Sequence, residues 1–240
     1  MAKSFFIWNG VDCRSLGVLL QAPVPIIRPE ERVSHIEIPG RSGDLTELEG
    51  GEDDPIFNSY IQTVTIMVQG GYRVREIFNW MKGKGFVTFH GEPDRKQEAR
   101  IIGAITLNKH SRNLDWWVGE AQFYCQPLKQ LLTENTVQIT SSGSNVMNSG
   151  DVRSKPRIRA TASGASMTIT ANGDTLTITG LTSGQDYIID SEIMEVTNAA
   201  GTVLLTKDST GRFPRLKPGS NTITGSGWSK LVFERRERFL

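Results

Sequence analysis

Two Asn-Gly dipeptides restrict the folding of this chain more than any other feature in it. Asn-Gly suits a two-residue hairpin turn, because both central positions need backbone angles that few other residues accept. Asn172-Gly173 lies between Met167–Thr170 and Thr175–Thr179, two runs in which apolar residues alternate with threonine. The turn places Ile169 opposite Leu176 and Met167 opposite Ile178, so all four share one face and the threonines take the other. Asn9-Gly10 follows Phe5–Trp8 in the same manner. It sets Trp8 against Val11 and Phe6 against Cys13, an apolar face of four that uses the cysteine as packing. A chain with such turns at both ends is mainly β.

The remaining strands are read from alternation and from breakers. Leu16–Leu20 continues as strand, and Pro23, Pro25 and Pro29 make an extended, stiff link. Ile61–Gln69 turns Val64, Ile66 and Val68 to one side. Tyr72–Lys82 is the one convincing helix, with Val74, Ile77, Phe78 and Met81 in a single stripe and Gly83 placed to end it. Phe86–Phe89 is strand. Ala99–Leu107 and Asp115–Tyr124 form a long pair joined by the polar loop Asn108–Asn113, and Pro127 stops the second of them. Further on, Ile188–Ile189, Ile193–Thr197, Val203–Leu205 and Leu231–Glu234 supply short strands of a sandwich or jelly roll.

Most aromatic residues lie before position 134, and the rest of the chain is rich in Gly, Ser and Thr. That contrast implies two domains, set here at 1–133 and 134–240, with a seam in the polar stretch Ser141–Gly150. A net charge of +1, balanced within both parts, argues against nucleic-acid binding. No run approaches the roughly 20 apolar residues of a membrane-spanning helix, so no membrane insertion is expected. The start of the sequence has no signal-peptide core. Cys13 and Cys125 are too few for a disulfide framework and too widely spaced for a metal knuckle, and read as buried thiols. His35, His90 and His110 are isolated, and the acidic run Glu47–Asp54 lacks the order of a calcium loop and reads as a solvated, mobile loop. The elements needed for a nucleophile elbow or a phosphate loop are missing. No catalytic residue, metal or cofactor is expected.

The stretch Ser34–Leu45, S-H-I-E-I-P-G-R-S-G-D-L, alternates as a half-buried strand and breaks at Pro39 into a Pro-Gly-Arg-x-Gly loop. I-P-G-R-S-G-D-L resembles the distal tail protein family of long-tailed bacteriophages. The resemblance extends through the β-pair that finishes in F-Y-C-Q-P. It includes Y-I-I-D-S at Tyr187–Ser191 and F-P-R-L-K-P-G-S-N-T-I at Phe213–Ile223, where Gly219-Ser220-Asn221 makes the turn into the next strand. It implies an N-terminal β-sandwich or barrel-like domain with one packed helix, followed by a galectin-like jelly-roll sandwich.

The resemblance further implies a structural virion component, assembled in the host cytoplasm. Copies would form a ring, six-fold by resemblance, that joins the tail tube protein to the tail-tip hub protein and anchors receptor-binding or baseplate proteins. Ile38, Pro39, Gly40, Arg41, Ser42 and Gly43 are the candidate interface residues, with Arg41 foremost. The rival is a carbohydrate-binding or carbohydrate-degrading tail-tip protein. It would need exposed aromatic platforms, for which Trp228 and Tyr187 are the candidates, and paired carboxylates. Both aromatics read more readily as core.

Overall fold

The computed structural model describes residues 4–52, 54–110 and 114–240. The chain divides into two compact units, one ending at Leu132 and the other spanning Thr133–Phe239.

The first unit contains β1 (Phe6–Trp8), β2 (Val11–Asp12), β3 (Val18–Leu20), β4 (Val33–Glu37), β5 (Asp44–Leu48), β6 (Tyr60–Gln69), helix α1 (Val74–Trp80), β7 (Lys84–Phe89), β8 (Arg95–Lys109) and β9 (Trp116–Leu131). Seven of these strands join in the order β2-β1-β7-β8-β9-β6-β3, a sheet that curls into a half-barrel. Strands β4 and β5 pair only with each other.

Asn9 and Gly10 take φ of 51° and 81°, and Trp8 pairs with Val11 as the turn requires. Phe6, Trp8 and Cys13 are fully buried, but Val11 is 37% exposed. The apolar face of four is therefore a face of three. Cys13 has left the ladder for a 3-10 turn, Cys13–Leu16, and accepts the Phe6 N–H at 3.4 Å through its sulfur. This turn also replaces the first part of the strand expected from Leu16. The core forms around Phe123, whose ring meets Phe6 and Trp8 edge-on at 5.5 Å.

Val64, Ile66 and Val68 point inward as the alternation requires. The helix is shorter than its stripe suggested. Gly71–Arg73 is a 3-10 turn, and the helix closes at Met81, whose N–H reaches Ile77 O at 2.7 Å, before Gly83. Ile77 and Met81 are buried, while Phe78 is 40% exposed. Trp80 takes its place, stacking on Phe6 at 5.5 Å and 14°. A seven-residue helix lying across a curled sheet buries a narrower stripe than its periodicity offers.

Strand β9 does not stop at Pro127. The β8–β9 register shifts between Gln97 and Ala99, so the residue that cannot donate sits beside a bulge instead of interrupting the ladder. The buried Gln97 donates its side-chain amide to Gln126 O at 2.5 Å across that irregularity. Gly119 is required at the next close approach, where a Cβ would lie 1.9 Å from Thr106 O. Of the polar loop Asn108–Asn113, the first two residues are still strand, and positions 111–113 lie outside the described residues.

The second unit contains β10 (Thr136–Ile139), β11 (Ser144–Asn148), β12 (Arg157–Ala162), β13 (Ser166–Ala171), β14 (Asp174–Thr179), β15 (Asp186–Asp190), β16 (Glu195–Asn198), β17 (Ser209–Gly211), β18 (Gly219–Ser226) and β19 (Trp228–Glu234). They form two five-stranded sheets, β10-β19-β12-β15-β16 and β11-β18-β13-β14-β17, that share one core. The Asn172-Gly173 hairpin has the register read from the sequence, Met167 with Ile178 and Ile169 with Leu176, all four buried.

Four expectations fail here. Ser141–Gly150 is not a seam: it contains β11, where Val146 and Asn148 turn inward and the Asn148 amide donates to Val152 O and Leu216 O at 3.0 Å. Its polar residues are mostly exposed, and the one buried polar side chain, Asn148, is satisfied by those two carbonyls. Ile193 and Met194 form an exposed turn instead of strand, and Val203–Leu205 makes a single bridge, Thr197 to Leu204. Gly219-Ser220-Asn221 opens β18 instead of preceding it.

Candidate interaction surface

Strands β4 and β5 pair in register from Val33–Leu48 at the base to Glu37–Asp44 at the tip. Alternation then gives the ribbon two faces. Ile36 lies opposite Leu45 on one, with Ser34 opposite Glu47 beside them. On the other, His35 Nδ1 lies 2.8 Å from Asp44 Oδ2, diagonally across the strands. The expected half-buried strand is not found: Ser34–Glu37 are all exposed, Ile36 at 45%, with Leu45 at 39%. Glu47 and Leu48, read as part of a mobile acidic loop, belong to the second strand. The alternation is genuine, but among the described residues the apolar side stays largely uncovered.

The ribbon is fixed at its root. Arg32 donates its backbone N–H to Ile56 O at 2.7 Å and its Nε to Asn58 Oδ1 at 3.1 Å, and it pairs with Glu49 at 3.4 Å. Beyond Glu37 the chain reverses through Ile38, Pro39, Gly40, Arg41, Ser42 and Gly43, all exposed. Gly40 and Gly43 have φ of 80° and 82°, and Arg41 N–H donates to Ile38 O at 3.1 Å. The structure thus brings the six candidate residues together at one tip. The Arg41 guanidinium forms no ion pair with the described residues. Ile38, 39% exposed, extends the apolar surface to the tip.

The sequence reading missed Leu45 as the partner of Ile36, although counting back across the loop would have found it. It also missed a second apolar site on the outer face of the large sheet. There Ile61 and Tyr124 pair across β6 and β9 while 49% and 41% exposed. The only titratable contact across the ribbon is the exposed His35–Asp44 pair among the described residues. Both surfaces can bury apolar area against a partner, at roughly 25 cal/mol per Å².

The remaining candidates are structural. Cys13 and Cys125 are free thiols buried in the core of the first unit. Burial pushes Cys125 up to about 12 and raises Cys13 as well. Trp228 and Tyr187 are core residues, 9% and 6% exposed. The Trp228 indole donates to Thr168 O at 3.2 Å, and the Tyr187 hydroxyl accepts the Thr182 N–H at 2.8 Å, so neither offers a sugar platform. Among the described residues, no group of three or more His, Cys, Asp or Glu could hold a metal, and no helix is long and apolar enough to cross a membrane.

A curled sheet bearing one short helix and a free hairpin, followed by a two-sheet sandwich, is a fold already seen in a solved phage protein. The SPP1 Dit (gp 19.1) protein, described as a paradigm of the hub adsorption apparatus in phages infecting Gram-positive bacteria, shares it over 99% of both chains, with a TM-score of 0.76 and 19% identity. The phage P2 baseplate, in its activated conformation with Ca and again with Sr, matches at a TM-score of 0.48 and 8% identity over 99% of both chains. No protein-family model matches the chain, and no curated protein does.

Proposed function

We propose that the chain is a structural subunit of a phage tail, a distal tail protein whose copies close into a ring between the tail tube and the tip. The observation that carries this reading is the two-unit fold held in common with the SPP1 hub protein over the full length of both chains. The first unit forms the ring, six-fold by resemblance, and the second anchors receptor-binding or baseplate proteins. The subunit works in the virion after assembly in the host cytoplasm and performs no catalytic step.

The hairpin suits such assembly. An anchored two-stranded ribbon has open edges as well as an apolar face, so it can add to a neighbouring sheet or cover an apolar patch. Closed rotational symmetry would bury every copy's ribbon and leave no unpaired contact in the plane. Stable contacts of this kind bury about 1,200 to 2,000 Å². Arg41 and its five neighbours at the tip would contact the next copy.

Native mass spectrometry and negative-stain imaging of the purified chain, alone and mixed with tube and tip components, test the proposal. Closed rings with one copy number are the expected result. Solitary particles in every mixture would overturn it.

A further inference from the structure

The second unit contains a pocket that the hub reading does not use. It is lined by Lys155, Ser191, Glu192, Met194, Gly211, Arg212, Phe213 and Arg215, and four features set its chemistry. The first is positive charge. Three cationic side chains reach it, and the two carboxylates nearby are already answered. Glu192 lies 3.3 Å from Arg236 and 3.6 Å from Arg238, and Asp174, behind the wall, lies 3.1 Å from Arg215 and 4.0 Å from Arg212. Lys155 forms no ion pair with the described residues.

The second feature is an unsatisfied hydroxyl. Ser191 is 4% exposed, and its Oγ is buried without a hydrogen-bond partner. A buried hydroxyl in that state is costly, and a ligand oxygen or a water carried with it would relieve the cost. The third is the apolar wall made by half-buried Phe213 and exposed Met194, the latter held at a φ of 55°. An aromatic face beside cations suits a ring that has C–H bonds on one side and a charged substituent on the other.

The fourth is rigidity. Arg236 grips Asp190 with two hydrogen bonds of 2.7 and 2.8 Å, and Asp190 in turn accepts the Glu192 N–H at 3.0 Å. The turn that carries Ser191, Glu192 and Met194 is therefore set before any ligand arrives. At the opposite wall, Gly211 is locked by close approach, since a Cβ there would meet Thr175 O at 2.1 Å.

We infer that this pocket binds an acidic saccharide, with its carboxylate or phosphate group held by Lys155 and Arg212 and its ring against Phe213. The charged group would take charge-assisted hydrogen bonds from the two cations. The buried Ser191 hydroxyl would reach the ring oxygens through a water admitted with the ligand. The sugar platforms weighed from the sequence, Trp228 and Tyr187, play no part, because both lie inside the sandwich. The site belongs wholly to the second unit, so it stands whether or not the first unit forms rings.

Saturation-transfer NMR on the full chain tests it, with glucuronic acid, glucose 6-phosphate and neutral glucose as probes and inorganic phosphate as competitor. Transfer to either anionic sugar, at least fivefold above that to glucose, is expected. A response to glucuronic acid alone assigns a carboxylate ligand, and one to glucose 6-phosphate alone assigns a phosphate ligand. Lys155→Glu combined with Arg212→Glu, two exposed positions, should abolish the signal. Ser191→Ala should weaken it severalfold without lowering the melting temperature. No transfer to either acidic sugar, undiminished transfer in the charge-reversed variant, or full displacement by an equal concentration of inorganic phosphate would each overturn the proposal.

Discussion

Two hairpins of nearly equal length, one in each unit, carry the same kind of sequence and meet opposite fates. In the second unit, β13 and β14 place Met167, Ile169, Leu176 and Ile178 on one face, and none exceeds 1% exposure. In the first, β4 and β5 place Ile36 opposite Leu45, both near 40% exposed. The inner hairpin is flanked by β17 and β18 and covered by the opposing sheet, whereas the outer one has no third strand. Alternation specifies a strand with an apolar side, but a partner for that side comes from the rest of the fold or from another molecule. The proposed ring would put a neighbouring copy on the uncovered ribbon.

The largest expected effect lies in the covered hairpin. Ile169→Ala should cost about 3 kcal/mol by leaving a cavity in a dry core, read as a lower melting temperature of the second unit in calorimetry. The matching change in the free ribbon, Ile36→Ala, should alter stability by less than ~0.5 kcal/mol. Equal losses at both sites would erase the contrast between them.

Next is the half-buried pair that fixes the Asp190 turn. Burial alone would raise the Asp190 carboxyl, but the hydrogen bonds and charge of Arg236 outweigh it and hold the group below the usual carboxylate range. A carboxyl depressed on folding stabilises the protein above its unfolded value of about 3.9, and that contribution disappears as pH falls through the folded value. Asp190→Asn should therefore cost about 2 kcal/mol at pH 7. The gap from wild type should close on acidification, as measured by urea unfolding from pH 7 to pH 2.

The cysteines sharpen the contrast from the covered side. Both thiols are raised by burial, Cys125 to about 12, so native protein at pH 8 should leave a thiol reagent almost unreacted. Denatured protein should release two equivalents. Because unfolded thiols ionise near 8.5, this burial stabilises the fold below that pH and loses its benefit as pH rises toward the folded values. Prompt reaction of the native chain would mean that the first core opens readily.

Much of the fold was legible because local rules and burial agreed. Asn172-Gly173 fixed a register that the threonine alternation independently required, and Val64, Ile66 and Val68 found the inner face of a central strand. Failures came where a tertiary feature overruled a local one. Pro127 reads as a stop but lies beside a bulge supported by Gln97. Phe78 fits the helix stripe, yet Trp80 takes the core contact with Phe6. Asn148 makes β11 look like a linker, because one of the carbonyls that satisfy its amide, Leu216 O, comes from far along the chain. The candidate tip, Ile38–Gly43, was located by its loop chemistry. Its exposed apolar neighbours were not, since alternation cannot tell a covered face from an open one.

The smallest effect on folding and the sharpest on function should meet in one variant. Ile36→Asp with Leu45→Asp should leave the melting temperature of the isolated chain within a degree or two. Sedimentation velocity at matched concentrations should then show closed rings for the wild type and monomers for the variant. Rings that persist with both aspartates in place would contradict the account, because the ribbon's apolar face would then have no part in holding the copies together.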